Sequence, residues 1–486
     1  MRRHITTLLI AATITSCATL NKEQYYEQHV AIPQDATTEE RIELASHVVP
    51  SDKQLAWQKM ELTAFLHFGM NTFTDSEWGS GNDSPELFNP TELDCEQWVT
   101  TLKEAGFKMV ILTAKHHDGF CLWPTATTEY SVKNSPWKEG KGDVVAELRK
   151  ACHKHNMKFG FYLSPWDRNA ECYGDSPAYN KFFVAQLTEL LTNYGRVDEV
   201  WLDGACGEGP NGKQQAYDWT SILQTIDRLQ PHAVTAIMGD DVRWVGNEGG
   251  KGRATEWSAT PFTPKSLDNS VIVNEALNID EMSKDLGSRE LLSRATDIYW
   301  YPSEVDVSIR PGWFYHDWQD DEVRTLVNLI EIYFSSVGRN SVLLLNIPPD
   351  RRGKIHEIDV QRLKELSQYI DNTFAHNLLR RGSEQWLATE GVKHEYEVKK
   401  GATANTILLQ EQIEKGQRVE SFMVEALIDN EWQCIAQGTT IGYKRLLRFE
   451  ECTPQRIRVT ILQSRGEAHI ANAGLYYAKP LADDGK

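Results

Sequence analysis

The sequence MVILTAKHHDGF at residues 109–120 shows the pattern that decides the fold. Its apolar, β-branched first half favours a buried strand, and the polar residues that follow directly favour a functional strand end. Similar runs recur along the chain, separated by helix-like stretches with acidic N-cap candidates such as Asp94 and Asp143. The predicted strands are Thr63–Phe68, Met109–Ala114, Phe159–Leu163, Val197–Leu202, Ala233–Met238 and Val342–Ile347.

This alternation of strands and helices predicts parallel strands joined by crossover helices. The size of the unit fits an α/β fold of the (β/α)8-like barrel type over residues 51–372, with a doubly wound sheet as the alternative. No GxGxxG motif follows the first strand, which disfavours a dinucleotide site. The less regular section 241–315 is rich in Gly, Pro, Asp and Trp, and we expect it to form long loops over the active face.

Short alternating strands with polar turns between them follow the barrel. This pattern predicts an antiparallel C-terminal β-sandwich domain over residues 376–480. Its predicted strands are Thr406–Gln410, Arg418–Leu427, Trp432–Gln437, Lys444–Phe449, Arg456–Leu462 and Ala473–Tyr477.

The amino terminus has the order of an export signal. Two arginines and a short apolar run, Ile5–Ile14, precede Cys17. We predict a lipoprotein-type export signal over residues 1–17 with Cys17 lipidated, and a plain secretory signal is the alternative. Residues 18–50 are expected to form a tether and a segment that enters the barrel. The protein is therefore expected to be exported, periplasmic or tethered to the outer membrane of a bacterial envelope, and to meet the membrane only through its lipid anchor.

The composition excludes several classes of protein. The chain has 486 residues, 41% of them hydrophobic, and a net charge of −18, which is typical of a soluble globular protein and not of a disordered one. The acidic balance argues against nucleic acid as a partner. The cysteines after Cys17 show no CxxC spacing, so a zinc ribbon or a thioredoxin-like site is not expected.

Polar residues end four consecutive predicted strands, and strand ends of a barrel meet at one mouth. His67, the pair His116–His117, and Asp203 stand at such ends. Adjacent histidines on a regular strand point to opposite sides, so both face the mouth only where the strand kinks or ends. A metal site built from these histidines and Asp118 is an alternative, but it lacks HxH or HExxH spacing.

Two carboxylates on either side of a glycosidic bond are the usual machinery of sugar hydrolysis. Asp203, at the tip of an apolar strand and followed by Gly204, suits a nucleophile that attacks an anomeric carbon. A second carboxylate must protonate the leaving oxygen. Glu248 lies in a glycine-flanked loop and Glu304 is its main rival, and spacing does not choose between them. The other candidates are Glu77, Asp240, Asp241 and Glu256.

Taken together, these segments resemble the α-L-fucosidases of glycoside hydrolase family 29, more weakly so in the β-sandwich. The motifs that carry the resemblance are HFGMNTF (67–73), SEWGSG (76–81), KHHDGFCLWPT (115–125), FYLSPWD (161–167), WLDGA (201–205) and SIRPGWFYH (308–316). The resemblance implies a (β/α)8-like catalytic domain, a C-terminal β-sandwich, a retaining mechanism and no cofactor.

By position, the resemblance implies that Asp203 is the nucleophile. The stretch DVRWVGNEGG (241–250) looks like the branch of the family that prefers α-1,3 and α-1,4 linkages, in which Glu248 is the acid/base. The resemblance further implies substrate contacts at His67, Glu77, Trp78, His116, His117, Trp201, Arg243, Arg310 and Trp313, and at Tyr162 or Trp166 from the third strand.

We therefore expect a retaining exo-glycosidase that removes terminal α-L-fucosyl groups from oligosaccharides or glycoconjugates, without a metal or cofactor. Two alternatives belong to other classes. One is a non-catalytic glycan-binding lipoprotein on a barrel scaffold, and the other is a metal-dependent hydrolase that uses the histidines.

Overall fold

A parallel eight-stranded sheet forms a nearly closed barrel in the computed structural model, which describes residues 24–481. Its strands are β1 Leu62–Leu66, β2 Met109–Lys115, β3 Lys158–Leu163, β4 Glu199–Leu202, β5 Val234–Ile237, β6 Arg243–Trp244, β7 Ser303–Ser308 and β8 Val342–Asn346. They pair in the order β5-β4-β3-β2-β1-β8-β7-β6. A parallel bridge between Ala236 and Val242 brings the two ends of the sheet together. The predicted (β/α)8-like architecture is confirmed.

Side-chain caps begin the helices near where the sequence predicts them. Asp94 and Asp143 accept hydrogen bonds from the backbone N–H groups of Gln97 and Ala146, which satisfies free donors of the first turn. The helices are α1 Thr38–Ser46, α2 Asp52–Gln58, α3 Met70–Thr74, α4 Cys95–Glu104, α5 Val144–His155, α6 Ser176–Asn193, α7 Trp219–Leu229, α8 Ser270–Leu277, α9 Arg289–Arg294, α10 Leu326–Ser335 and α11 Glu357–Phe374.

The section 241–315 is not made of loops alone, so that expectation was wrong. It contains the barrel strands β6 and β7, helices α8 and α9, and the strands Ala259–Thr260 and Asp297–Trp300. Strand β6 is two residues long, and β7 reads SEVDVS, in which polar residues alternate with valine. Its valines pack against the surrounding core, and its carboxyl side chains are buried as well. Neither strand therefore shows the continuous apolar run that marks the others.

Apolar and aromatic side chains fill the barrel interior. Phe65, Ile111, Tyr162, Trp201 and Leu344 form one buried cluster there, to which α2 contributes a tryptophan and the following turn a methionine. A second and larger cluster lies between the strands and the surrounding helices. This packing fixes the strand ends, which position the candidate site.

The predicted β-sandwich is confirmed as two four-stranded antiparallel sheets around a separate apolar core. The eight strands are β9 Trp386–Ala388, β10 Lys393–Glu397, β11 Ala404–Glu411, β12 Val419–Ile428, β13 Glu431–Gly438, β14 Arg445–Cys452, β15 Arg456–Ser464 and β16 Ala468–Tyr476. The sheets have the orders β9-β16-β11-β14 and β10-β15-β12-β13. Two strands that the sequence analysis missed, β9 and β10, are short and partly exposed edge strands.

The described part of the predicted tether is folded. Strand His29–Ala31 pairs with Asp297–Trp300, and α1 begins at a capping box formed by Thr37 and Glu40. Ala45, at the end of α1, is fully buried. The predicted signal and Cys17 lie outside the described residues. Between residues 24 and 481, no helix has both the length and the apolar character that a membrane crossing needs.

The described cysteines are all free thiols. Cys95, Cys121 and Cys152 are buried, as expected for small apolar side chains, and Cys206 and Cys434 are exposed. Burial raises the pKa of the three buried thiols. These three cysteines are therefore structural and not reactive.

Candidate active site

A cavity of about 360 Å³ opens at the carboxyl ends of the barrel strands. This is the face at which barrel enzymes place their active sites. Ten of the residues predicted for the site line it: His67, Glu77, Trp78, His116, His117, Tyr162, Trp201, Asp203, Glu248 and Trp313. The sequence therefore identifies most of the cavity wall.

Asp203 follows β4 directly, and its carboxylate is held by two hydrogen bonds. The Tyr162 hydroxyl donates to Oδ2 at 2.9 Å, and the backbone N–H of Ala205 donates to Oδ1 at 2.8 Å. Burial and the nearby carboxylate raise the pKa of Tyr162 well above its usual value, so the phenol keeps its proton and donates. His117 Nε2 lies 3.8 Å from Oδ2. These contacts fix the orientation of a carboxylate that faces the cavity.

Glu248 reaches the same cavity from a solvent-exposed loop at its rim. Partial desolvation raises the pKa of its carboxyl, and the nearby Asp203 and Glu77 charges raise it further. The Trp313 indole N–H donates to Oε2 at 3.2 Å and opposes that shift. Gly246 has φ +97°, a backbone conformation that favours glycine, and a Cβ there would lie 2.5 Å from the Glu281 carbonyl oxygen. A residue with a side chain would therefore strain the turn that leads to Glu248.

Glu304, the rival acid, is fully buried and does not line the cavity. Its Oε2 accepts a hydrogen bond from the Trp201 indole N–H at 2.9 Å, and its other oxygen faces Glu199. Burial and Glu199 raise the pKa of Glu304 well above its usual value, and burial raises that of Glu199 to about 8. The pair therefore holds a proton inside the barrel, behind Trp201, where no leaving group reaches it.

Three histidines line one side of the cavity, and burial lowers the pKa of each, that of His67 to about 3. They are neutral, and each Nδ1 contacts a neighbouring side chain. Asn346 Oδ1 lies 2.8 Å from His67, Asn71 Nδ2 lies 3.3 Å from His116, and Ser164 Oγ lies 2.7 Å from His117. The Nε2 atoms of His67 and His116 are left for a ligand, and that of His117 lies beside Asp203.

Both histidines of the pair His116–His117 face the cavity because β2 ends at Lys115. A turn follows, in which the Gly119 N–H donates to the His116 carbonyl at 3.0 Å. The side chains therefore do not alternate as they would on a regular strand. Within residues 24–481, no group of three or more His, Cys, Asp or Glu side chains is arranged to hold a metal ion.

The sequence profile of the family described as Alpha-L-fucosidase matches residues 45–373, which span the barrel. The chain belongs to the alpha-L-fucosidases of glycoside hydrolase family 29. Alpha-L-fucosidase 1 of Arabidopsis thaliana is 41% identical over 464 residues, which cover 89% of this chain and 88% of that one.

Solved structures agree with this assignment. A Bacteroides ovatus structure assigned to the alpha-L-fucosidases is 62% identical with a TM-score of 0.94, and the match covers 96% of this chain and 80% of that chain. A Ruminococcus gnavus family 29 fucosidase, solved in complex with fucose, is 31% identical with a TM-score of 0.77, covering 93% of this chain and 97% of that one.

The loop after β7 holds Glu77 in the fucosidase cavity. The backbone N–H groups of Trp313 and Phe314 donate to its two carboxylate oxygens at 2.8 and 3.2 Å. His316 Nε2 lies 2.7 Å from Oε1, and the other ring nitrogen of His316 lies 2.5 Å from Asp75. Sequence reasoning did not single out His316, whose role as a clamp depends on the loop conformation.

Three predicted substrate contacts are not part of the cavity wall. Arg243 is buried in an ion pair with Glu256, and Arg310 is buried with its Nε 2.9 Å from Asp359. Both guanidinium groups are thus committed to structural pairs. Trp166 packs against Trp78 and His117, and Tyr162 is the residue of the third strand that lines the cavity.

Other cavity residues of the fucosidase were missed. Three of the seven come from the section 241–315 that was read as loops, where no strand-end signal pointed to them. Trp244 ends the short β6 and Asp306 is an inward-facing residue of β7. The missed residues are Phe65, Gly204, Ala205, Ile237, Trp244, Lys265 and Asp306.

Proposed function

We propose that this fucosidase works by retaining double displacement, with Asp203 as the nucleophile and Glu248 as the acid/base. An Asp203 oxygen forms a bond to C1 of the fucosyl group while the glycosidic C1–O bond breaks and Glu248 gives its proton to the leaving oxygen. Water then attacks C1, Glu248 takes a proton from that water, and the bond to Asp203 breaks. Retention requires the two carboxyl groups to lie about 5–5.5 Å apart.

One observation carries this proposal: the two carboxyl groups that share the cavity have different surroundings. Asp203 accepts two hydrogen bonds, from Tyr162 and the Ala205 N–H, which suits a carboxylate. Partial burial and the neighbouring Asp203 charge raise the pKa of Glu248, which suits a proton donor. A proton donor with a raised pKa beside a hydrogen-bonded carboxylate is the division of roles that a retaining glycosidase needs.

The substrate we propose is a terminal α-L-fucosyl group. The neutral histidines His67, His116 and His117 present nitrogen atoms to sugar hydroxyls, and Phe65 and Ile237 offer apolar surface for a C5 methyl group. The Ruminococcus gnavus relative, solved with fucose, supports this reading. An apolar pocket favours a sugar with the methyl group over one without it by only about 1–3 kcal/mol, so contacts to the hydroxyl groups must carry much of the recognition.

For linkage we propose a preference for α-1,3 and α-1,4 bonds in branched glycans. The support is the sequence of the loop 241–250 that carries Glu248. Fucosylated oligosaccharides that differ only in linkage test this preference. Faster release from α-1,2 or α-1,6 substrates would contradict it.

The mechanism is tested with an aryl α-L-fucoside. Proton NMR of the first product should show the α anomer, and an initial β anomer would mean inversion. Glu248→Ala should lose most activity and regain turnover with azide, which needs no general base. Glu304→Ala is the matched comparison, and azide rescue there instead would move the acid/base role to Glu304.

We also propose that Cys17 is lipidated and tethers the exported protein to the bacterial envelope. The support is the order of basic, apolar and small residues before Cys17. In a bacterial host, labelled palmitate should enter the wild type and not Cys17→Ala. Equal labelling of both would contradict the anchor.

A further inference from the structure

Asp306 is a carboxyl group of the cavity wall to which no role has been given so far. It is 4% exposed and lies on β7, next to the strand end. Its Oδ1 accepts a hydrogen bond from the Trp244 indole N–H at 2.8 Å. Over residues 24–481, no side-chain hydrogen bond to Oδ2 is found, although the residue faces the cavity.

The two inward-facing neighbours of Asp306 along β7 have structural partners. Alternate residues of a strand point to the same side, so Glu304, Asp306 and Ser308 all face the barrel interior. Glu304 holds Trp201, and Ser308 donates to the Gly312 carbonyl and accepts from Asn346. Asp306 alone among the three lines the cavity. With Oδ1 held by Trp244, Oδ2 is the carboxyl oxygen of this strand that a ligand in the cavity can reach.

We propose that Asp306 is a further substrate-binding residue, whose Oδ2 hydrogen-bonds a hydroxyl of the terminal sugar. The identity of that sugar as fucosyl rests on the proposed function. The burial of Asp306 places it in the deep part of the cavity, where an exo-acting enzyme takes the terminal unit and not the sugars that follow it. Trp244 fixes the carboxyl plane through Oδ1 and leaves Oδ2 for the ligand.

The surroundings keep Asp306 neutral. Burial raises its pKa well above the usual value, the Trp244 hydrogen bond opposes that shift, and the nearby Glu248 carboxylate adds to it. A neutral carboxylic acid donates a hydrogen bond through Oδ2 while Oδ1 accepts from Trp244. It also adds no third negative charge beside Asp203 and Glu248, so Glu248 remains free to ionise during turnover.

The proposal is tested with aryl α-L-fucosides that lack the 2-, 3- or 4-hydroxyl, one at a time. Asp306→Ala should lower kcat/KM for the complete fucoside roughly 10- to 100-fold, because a sugar hydroxyl then loses its buried partner. With one of the three deoxy substrates, wild type and Asp306→Ala should react at similar rates, since the contact is already absent. With the other two the loss should persist.

Trp244→Phe is the control for an indirect effect. It removes the indole donor but leaves the carboxyl group, so any loss of kcat/KM should be similar for all three deoxy substrates. A loss in Asp306→Ala that is equal for all three deoxy substrates, or below twofold for the complete fucoside, would overturn the proposal. If Asp306→Ala does not fold, Asp306→Asn replaces it in the same series. The same relative kcat/KM values for the three deoxy substrates in this variant and in wild type would also overturn the proposal.

These outcomes are separate from the proposed mechanism. A fluorinated fucoside with a good leaving group should label Asp203 of the wild type, and this labelling does not depend on the proposed role of Asp306. If trapping succeeds and the deoxy series shows no selective effect, the inference about Asp306 alone fails. If trapping fails, the mechanism fails, whatever the deoxy series shows.

Discussion

Replacement of Glu304 by glutamine separates a structural proton from a catalytic one. Glu304 and Glu199 face each other inside the barrel, and burial together with Glu199 raises the pKa of Glu304 well above its usual value. The amide of Glu304→Gln imitates the protonated acid: its oxygen still accepts from Trp201, and its NH2 group donates to Glu199. The cavity wall should therefore keep its shape, and fucosidase activity should stay within a few-fold of wild type.

The effect on stability follows from proton linkage. A carboxyl group whose pKa is higher in the folded state does not lower the free energy of unfolding at low pH, because the group is then protonated in both the folded and the unfolded chain. Above the ordinary glutamate pKa of 4.5, the unfolded chain loses the proton that Glu304 keeps when folded. The free energy of unfolding then falls by about 1.4 kcal/mol per pH unit. Between pH 5 and pH 7 the cost is about 3 kcal/mol, and Glu304→Gln removes it.

Urea unfolding followed by tryptophan fluorescence at pH 5, 6 and 7 measures this difference. The stability of Glu304→Gln relative to wild type should rise by about 3 kcal/mol across the range. The exposed Glu322→Gln serves as the matched control and should follow wild type. Parallel curves for wild type and Glu304→Gln would refute the shared proton, and a loss of activity that azide restores would show that Glu304 is the acid/base.

Three further predictions concern the site and its frame. Trp313→Phe removes the indole N–H that opposes the raised pKa of Glu248, so the basic limb of the kcat/KM pH profile should move to higher pH; an unmoved limb would contradict the contact. Arg310→Met leaves buried Asp359 unpaired and should lower the free energy of unfolding in urea by about 3–5 kcal/mol, with KM for the aryl fucoside nearly unchanged. A large rise in KM would instead support the predicted contact between Arg310 and the substrate. Chelators should leave the rate unchanged, and inhibition that added metal reverses would favour a metal-dependent reaction.

The sequence was most informative where a strand is apolar on both faces. Strands β1 to β5 and β8 carry such runs, and their polar ends point to His67, His116 and Asp203 without structural help. Strand β7 was missed because its inward face carries Glu304 and Asp306, residues that serve the cavity and its support. The functional use of a strand removed the pattern that would have revealed it.

Side-chain direction was the other limit. Arg243 lies on a strand of two residues, which is too short for its sequence to show which side chains point into the barrel. Its guanidinium group pairs with Glu256. Arg310 lies in the same loop region as Trp313, but its position relative to Asp359 depends on a helix far along the chain. Such long-range ion pairs are set by the fold and leave no local signature.

The central claim is that Asp203 forms a covalent bond to the fucosyl group. A fluorinated fucoside with a good leaving group should inactivate the enzyme, and mass spectrometry of its peptides should place one sugar label on the peptide that contains Asp203. Asp203→Ala should remain unlabelled under the same conditions. A label on any other residue, or full activity in Asp203→Ala, would contradict the mechanism.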